Sequence, residues 1–264
     1  MKKNYMEKEW EQLQRQEQAF LKRGRKPPAS AWQDKIARLV PDKLSDTLNT
    51  AFYKAFEFLF EKGTGVIEKT CAKEKKEQNY KINAYAATVR KNRKTLRAFG
   101  REAKASKTLN MALSTAEGIG MGLLGLGIPD IPLFLGVLLK SVYEIAISYG
   151  FDYDSEEEQI FILKLMETAL AHESALVDEN LQLNRFIERR EAAAEETDCG
   201  FEITREEQMR RTADALSNEL LYLKFVQGLP VVGVLGGISD MVYQKKISDY
   251  AALKYKRRFL ERNR

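Results

Sequence analysis

The chain has 264 residues, of which 31% are charged and 44% are hydrophobic, and its formal net charge is +5. This balance excludes an intrinsically disordered chain and a multi-span membrane protein. A single histidine excludes a His-rich metal site, and two isolated cysteines, Cys71 and Cys199, exclude a disulfide scaffold and favour a reducing, cytoplasmic setting.

Helical periodicity dominates the chain. Residues 2–23 are polar with sparse apolar positions, so they predict a solvated helix, and we assign residues 1–28 to an N-terminal helical arm. Residues 42–62 place leucines and phenylalanines at helical spacing. Because no run of alternating strand residues follows, the sequence predicts an all-α fold, with a single helical domain over residues 29–264.

Two capping boxes mark helices in the second half of the chain. Ser155 with Glu158, and Thr204 with Glu207, each precede apolar positions at helical spacing. A polar connection over residues 191–203 separates these two helices, and a basic helix closes the chain.

Two glycine-rich apolar segments are the unusual features of the sequence. The first, Ala112 to Ile147, is interrupted by Pro129, Asp130 and Pro132, and the second runs from Phe225 to Val242. A bilayer span needs about 20 apolar residues, and the prolines split the first segment into halves that are too short. A helical hairpin is therefore predicted.

Both segments place small residues four positions apart, which lets two helix backbones approach closely in a protein core or in lipid. We expect them to form either the central helix pair of the core or a hairpin that contacts a bilayer or a membrane partner. The glycines concerned are Gly118, Gly120, Gly122, Gly125, Gly127, Gly233, Gly236 and Gly237.

Four aspartates are candidates for a functional acidic cluster. Asp130 and Asp240 lie in the apolar segments, where an unpaired carboxylate is costly, although both positions also suit a helix cap. Asp152 and Asp154 follow the first segment. Four carboxylates in one place would suit a divalent cation, which makes a metal-dependent hydrolase the alternative function.

Charge is distributed unevenly along the chain. Residues 1–110 carry a net charge of +13, residues 111–151 of −2, residues 152–219 of −12 and residues 220–264 of +6. The basic and acidic parts either pack together and neutralise each other, or leave a basic face that attracts anionic lipid. The candidates for that basic surface are Arg90, Arg93, Lys94, Arg97, Lys256, Arg257 and Arg258.

Two long strings carry a family resemblance. The string GLGIPDIPLFLGVLLKSVYEIAISYGFDYDSEEEQIFIL resembles the EcsC protein family of bacteria, and GLPVVGVLGGISDMVYQKKISDYAALKYKRRFLERN looks like the C-terminal signature of that family. With the earlier RKPP and VPDK elements, the resemblance extends from the region of Trp10 to that of Asn263. Positions that match the family pattern are Gly122, Gly125, Asp130, Pro132, Tyr149, Gly150, Asp152 and Asp240.

The resemblance implies a link to an ABC-type transporter, because the name-giving member of the family is encoded beside an ATPase and a membrane subunit. It implies no reaction and no catalytic residue. We therefore expect a non-catalytic accessory protein without a cofactor, cytoplasmic and peripheral on the inner face of the cell membrane. The expected partners are transporter subunits or anionic membrane lipid, and not nucleic acid, since no binding motif for DNA or RNA occurs.

Overall fold

The structure is a computed structural model that describes residues 5–24, 42–63, 76–77, 79–81, 83–84, 97–101, 130–192, 202–226 and 238–263. The long helices in these ranges are α1 (Tyr5–Gly24), α2 (Asp42–Phe58), α3 (Asp130–Ser148), α4 (Glu156–Leu170), α5 (Glu173–Ala192), α6 (Arg205–Val226) and α7 (Ile238–Arg262). A π-helical turn, Leu59–Gly63, continues α2. The described residues form helices and short connections without a strand, which confirms the predicted all-α fold.

Helix α7 lies at the centre of the fold. The helices α1, α3, α4 and α5 all pack against it, while α6 packs against α2 and α4, and α2 packs against α3. All seven helices contribute buried apolar side chains to one continuous core. The described helices therefore form a single helical domain.

The second half of the first glycine-rich segment forms α3, with Pro132 in its first turn, where proline is tolerated. Every residue from Ser141 to Tyr149 is buried, as expected for a helix that is apolar on all sides. The second half of the first segment thus lies in the core as α3, while the expected pairing of the two glycine-rich segments stays a prediction. Among the described helices, none has the length and apolar character needed to cross a membrane.

Several other sequence predictions fall outside the described ranges. They concern the boundary at residue 28, the two cysteines and the glycines of both segments, namely Gly118, Gly120, Gly122, Gly125, Gly127, Gly233, Gly236 and Gly237.

The N-terminal helix is confirmed, but its prediction as a solvated helix is wrong for one face. Glu9, Leu13 and Glu17 follow each other at intervals of four residues, so they share one side of α1, and all three are buried. That side packs against α5 and α7. Helix α1 is therefore part of the core packing.

Both predicted helix starts are confirmed by their caps. The Ser155 hydroxyl accepts a hydrogen bond of 3.2 Å from the backbone N–H of Glu158, and the Thr204 hydroxyl accepts one of 3.2 Å from that of Glu207. The Glu158 carboxylate is engaged by α7 and not by the backbone of Ser155. The N-terminal end of α4 is thereby tied to the last helix of the chain.

Helices α3 and α7 run in the same direction. Gln244 Nε2 near the start of α7 donates to Ser141 Oγ at 3.1 Å, and the ring of Phe259 near its end lies 6.0 Å from that of Tyr149, just beyond α3. The first residues of the two helices therefore lie toward the same end of the pair.

Gly150, after the end of α3, is expected to tolerate no side chain. Its φ angle is +82°, and a Cβ atom added there would overlap the Tyr80 ring. We expect Gly150→Ala to lower the free energy of unfolding by more than about 1 kcal/mol, measured by urea denaturation. Gly136→Ala is the matched control, since nothing lies within 4 Å of its added Cβ and alanine favours the helix by up to about 1 kcal/mol. Equal effects of the two substitutions would contradict this account.

Candidate functional site: a cationic cleft

The four aspartates cannot share one metal ion. Asp130 is the first residue of α3 and Asp152 lies beyond its last residue, so about 27 Å of helix separates their backbones. A carboxylate oxygen binds a divalent cation at roughly 2.0–2.6 Å, which no side chain reaches across that length. The prediction of a single acidic cluster is therefore wrong.

The remaining observations on these aspartates agree with this. Asp152 and Asp154 are exposed, and Asp152 Oδ1 accepts a hydrogen bond of 2.8 Å from the backbone N–H of Tyr153. The side chains of Asp130 and Asp240 lie outside the described part of the structure. Among the described residues, no group of three or more His, Cys, Asp or Glu side chains is arranged to hold a metal ion.

The basic surface predicted on the last helix is also wrong, since its arginines point inward. Arg257 and Arg258 are only 5% and 2% exposed, and Lys256 is partly buried against α1. Arg97 remains half-exposed, with 49% of its side chain accessible. Arg90, Arg93 and Lys94 lie outside the described ranges.

The first buried ion-pair network, which we call the Glu17 network, joins α1, α5 and α7. The Lys254 ammonium is fully buried and donates to Glu17 Oε1, to Asn180 Oδ1 at 2.6 Å and to Asn184 Oδ1 at 2.6 Å. Arg257 Nη2 donates to Glu17 Oε2 at 2.7 Å. All three N–H groups of the ammonium thus have an acceptor, as a buried charge requires.

The two ends of this network hold opposite charges at neutral pH. Burial raises the pKa of Glu17, but the positive charges of Lys254 and Arg257 outweigh burial and lower it to about 2. Burial lowers the pKa of Lys254 to about 8, against the opposing effect of the Glu17 carboxylate. With no solvent access to the ammonium, the pair is a structural ion pair.

The second network, which we call the Glu158 network, joins the start of α4 to the end of α7. Arg258 Nη1 donates to both carboxylate oxygens of Glu158, at 2.6 and 2.8 Å, and its Nε donates to Glu191 at 3.0 Å. The Tyr255 hydroxyl donates to Glu158 at 2.7 Å. Burial lowers the pKa of Arg258, but the Glu158 carboxylate more than offsets this and raises it above its ordinary value.

The Glu17 and Glu158 networks pair basic residues of α7 with acidic residues of three other helices. The acidic residues come from α1, α4 and α5, and the basic residues all come from the last third of α7. The Glu158 network joins the basic end of the chain to the acidic residues 152–219, as the packing alternative expects, whereas Glu17 belongs to the basic residues 1–110.

Within the described part of the chain, one cleft brings several basic side chains together. A cleft of about 620 Å³ lies between α1, residues 97–101 and α7. Two acidic side chains, Glu9 and Asp249, line it against five basic ones. The basic residues, which we call the cationic rim, are Arg23, Arg97, Arg101, Lys245 and Lys256.

Glu9 holds two members of the cationic rim. Its carboxylate is 1% exposed and accepts from Arg97 Nε at 3.0 Å and from Lys256 Nζ at 2.9 Å. Arg97 Nη2 also donates to Gln12 Oε1 at 2.8 Å. A buried anion between two cations fixes their side chains at the mouth of the cleft, which lowers the entropy cost of binding an anion.

Three members of the cationic rim, Arg23, Arg101 and Lys245, are not among the residues predicted from the sequence. Arg23 and Arg101 are exposed and have no ion-pair partner in the part of the chain that the structure describes, while Lys245 pairs with Asp249 at 2.7 Å on its own helix. These residues lie far apart in the sequence, and only the packing of α1 on α7 brings them together. No local sequence signal identifies such a site.

A model of the EcsC protein family matches residues 5–260 of the chain. Protein EcsC of Bacillus subtilis (strain 168) is 32% identical over 88 residues, a stretch that covers 32% of this chain and 37% of the Bacillus protein. No solved structure matches the chain.

Proposed function

The chain belongs to the EcsC protein family, and we propose from this premise that it is a non-catalytic accessory protein that acts at the cytoplasmic face of the membrane together with an ABC transporter. The observation that supports the proposal most is the cationic rim. Five basic side chains surround one cleft, while Lys254, Arg257 and Arg258 of α7 are paired with acids inside the fold. An anionic membrane surface is the partner that complements such a rim.

Two buried groups of opposite charge with shifted pKa values, Glu17 and Lys254, support a structural rather than a catalytic role for the Glu17 network. Glu17 and Lys254 lie in the packed interior and bind each other, so neither is placed to transfer a proton to a substrate. The transporter link comes from the family resemblance and assigns no residue to a protein contact.

Vesicle flotation tests the membrane part of the proposal. We expect the protein to float with vesicles of phosphatidylglycerol and not with vesicles of phosphatidylcholine, and to dissociate as salt is raised, because salt screens exposed charges. The double variant Arg23→Glu, Arg101→Glu is expected to lower the affinity for anionic vesicles by about tenfold or more, at about 1 kcal/mol per charge near the surface.

The matched control is Lys43→Glu, Lys54→Glu, which changes the net charge equally on two exposed residues of α2. Helix α2 packs on α3 and α6, away from the cationic rim. If both double variants lose affinity equally, net charge alone drives binding and the role of the rim is refuted. Equal flotation with both kinds of vesicle would refute attachment through anionic lipid.

The transporter link has its own test in cells. A tagged copy of the chain is expected to co-purify from detergent-solubilised membranes with the ATPase or membrane subunit of an ABC transporter. Identification of the co-purified proteins by mass spectrometry, with no transporter subunit enriched over an untagged control, would overturn that part of the proposal.

A further inference from the structure

The cleft combines two kinds of surface. Its rim is cationic, whereas the side chains that line its interior include Phe20, Tyr149, Ala252, Leu253 and Phe259. Phe20, Ala252 and Leu253 are only partly buried, so apolar surface remains accessible beside the positive charges. An inorganic anion uses the rim alone, and a neutral apolar molecule uses the interior alone. A molecule that carries both an anionic group and a hydrocarbon chain uses both.

The arginines of the cationic rim suit a phosphate or carboxylate group. Arg97 donates from Nε to Glu9 and from Nη2 to Gln12, so its guanidinium is held in place while half of the side chain is still exposed. Lys256 is held by the same carboxylate. Neither Arg23 nor Arg101 is engaged by an acidic side chain in the described ranges, so both are available to a ligand. Guanidinium groups favour phosphate and carboxylate oxygens, which they bind in a planar, bidentate manner.

Tyr149, just beyond α3, also lines the cleft. Burial, and secondly the Glu9 carboxylate, raise the pKa of Tyr149 well above its ordinary value, so its hydroxyl stays protonated at neutral pH. That hydroxyl lies 3.3 Å from the position that a Cβ atom on Gly100 would occupy, so a larger residue at position 100 would press against it. Tyr149 therefore contributes an aromatic ring and a protonated hydroxyl to the residues that line the cleft.

We propose that this cleft binds one anionic amphiphile, with a phosphate head between Arg23, Arg97 and Arg101 and its hydrocarbon chain against Phe20 and Leu253. A volume of about 620 Å³ lies within the range of about 300–1,000 Å³ that is typical of small-molecule sites. The inference rests on the proposed function for its biological source, a membrane lipid. Its chemistry is defined by the cleft alone.

Isothermal titration in solution, without vesicles, tests the inference. The probes are monomeric octyl phosphate, inorganic phosphate and octyl glucoside, which separate the whole amphiphile from its anionic and apolar parts. We expect one octyl phosphate per chain, bound at least about tenfold more tightly than either other probe. Binding of inorganic phosphate with the same affinity identifies a simple anion site and overturns the amphiphile.

Two variants assign the binding to the cleft, and circular dichroism verifies that each is folded. Arg23→Gln, Arg101→Gln removes charge from the rim, and Ala252→Phe fills the interior; each is expected to weaken octyl phosphate binding about tenfold or more. The control Lys43→Gln, Lys54→Gln on α2 is expected to bind like the unmodified chain. Binding that survives both cleft variants overturns the inference.

The titration in solution and the vesicle flotation test two separate claims, the binding site and the membrane attachment. Octyl phosphate binding without recruitment to phosphatidylglycerol vesicles supports the site and refutes membrane attachment, which leaves a soluble phosphate ester as the ligand. Vesicle recruitment without octyl phosphate binding supports surface attachment and overturns the site.

Discussion

Replacing Glu17 with alanine is expected to lower the free energy of unfolding by about 3–5 kcal/mol, the cost of removing one partner from a buried ion pair. Glu17 accepts hydrogen bonds from Lys254 and Arg257, which are 0% and 5% exposed. Without the carboxylate, both cations stay in the interior. Lys254 then has only neutral acceptors such as Asn180, and Arg257 has only Glu188, a largely exposed acid. Urea denaturation monitored by circular dichroism measures the loss.

An exposed ion pair is the control for this prediction. Glu207 and Arg211 pair at 2.8 Å with 53% of each side chain accessible, and Glu207→Ala is expected to cost less than about 1 kcal/mol. The double variant Glu17→Leu, Lys254→Met is expected to be more stable than Glu17→Ala, because it leaves one buried cation, Arg257, without the Glu17 carboxylate instead of two. If Glu17→Ala and Glu207→Ala lower the free energy of unfolding by similar amounts, burial does not determine how much an ion pair contributes to stability.

Much of the fold was predictable because its helices carry local signals. The caps at Ser155 and Thr204 set the starts of α4 and α6 through hydrogen bonds within four residues, which sequence spacing reveals directly. The buried position of α3 follows from a helix that is apolar on all sides. These signals need no knowledge of the partner helix.

The buried cations of α7 show where composition misleads. Counting at helical spacing from Tyr243 through Ile247 and Tyr250 leads to Lys254 and Arg258, so periodicity alone places both on the buried side of the helix. Charge suggests the opposite, because lysine and arginine are rarely buried unless they are paired. The pairing acids lie on α1, α4 and α5, and a single sequence does not reveal which helices meet.

The cationic rim was not predicted for the same reason, since a single sequence does not reveal which helices meet. Arg23, Arg101 and Lys245 belong to three separate parts of the chain, and each by itself is an ordinary exposed basic residue. The four aspartates fail as a cluster for a related reason, since two of them mark opposite ends of one long helix. Sites built from local motifs can be read from sequence, whereas sites built by helix packing cannot.

Arg258→Lys is expected to lower the free energy of unfolding by about 2–4 kcal/mol although it keeps the charge. The Arg258 guanidinium binds Glu158 through both carboxylate oxygens and Glu191 through Nε, and its carbon Cζ lies 4.1 Å and 4.5 Å from the ring centroids of Phe151 and Phe161. An ammonium is a point charge that cannot make the planar contacts with two acids and two rings at once.

Arg211→Lys is the matched control, because Arg211 makes an exposed pair with Glu207 on its own helix. This substitution is expected to change the free energy of unfolding by no more than about 0.5 kcal/mol. Urea denaturation of the two variants compares the same chemical change inside and outside the core. If Arg258→Lys is as mild as Arg211→Lys, charge alone holds α4 to α7, and the shape of the guanidinium contributes nothing. A large difference instead means that the Glu158 network requires arginine, because only its planar group satisfies Glu158 and Glu191 while it lies over the rings of Phe151 and Phe161.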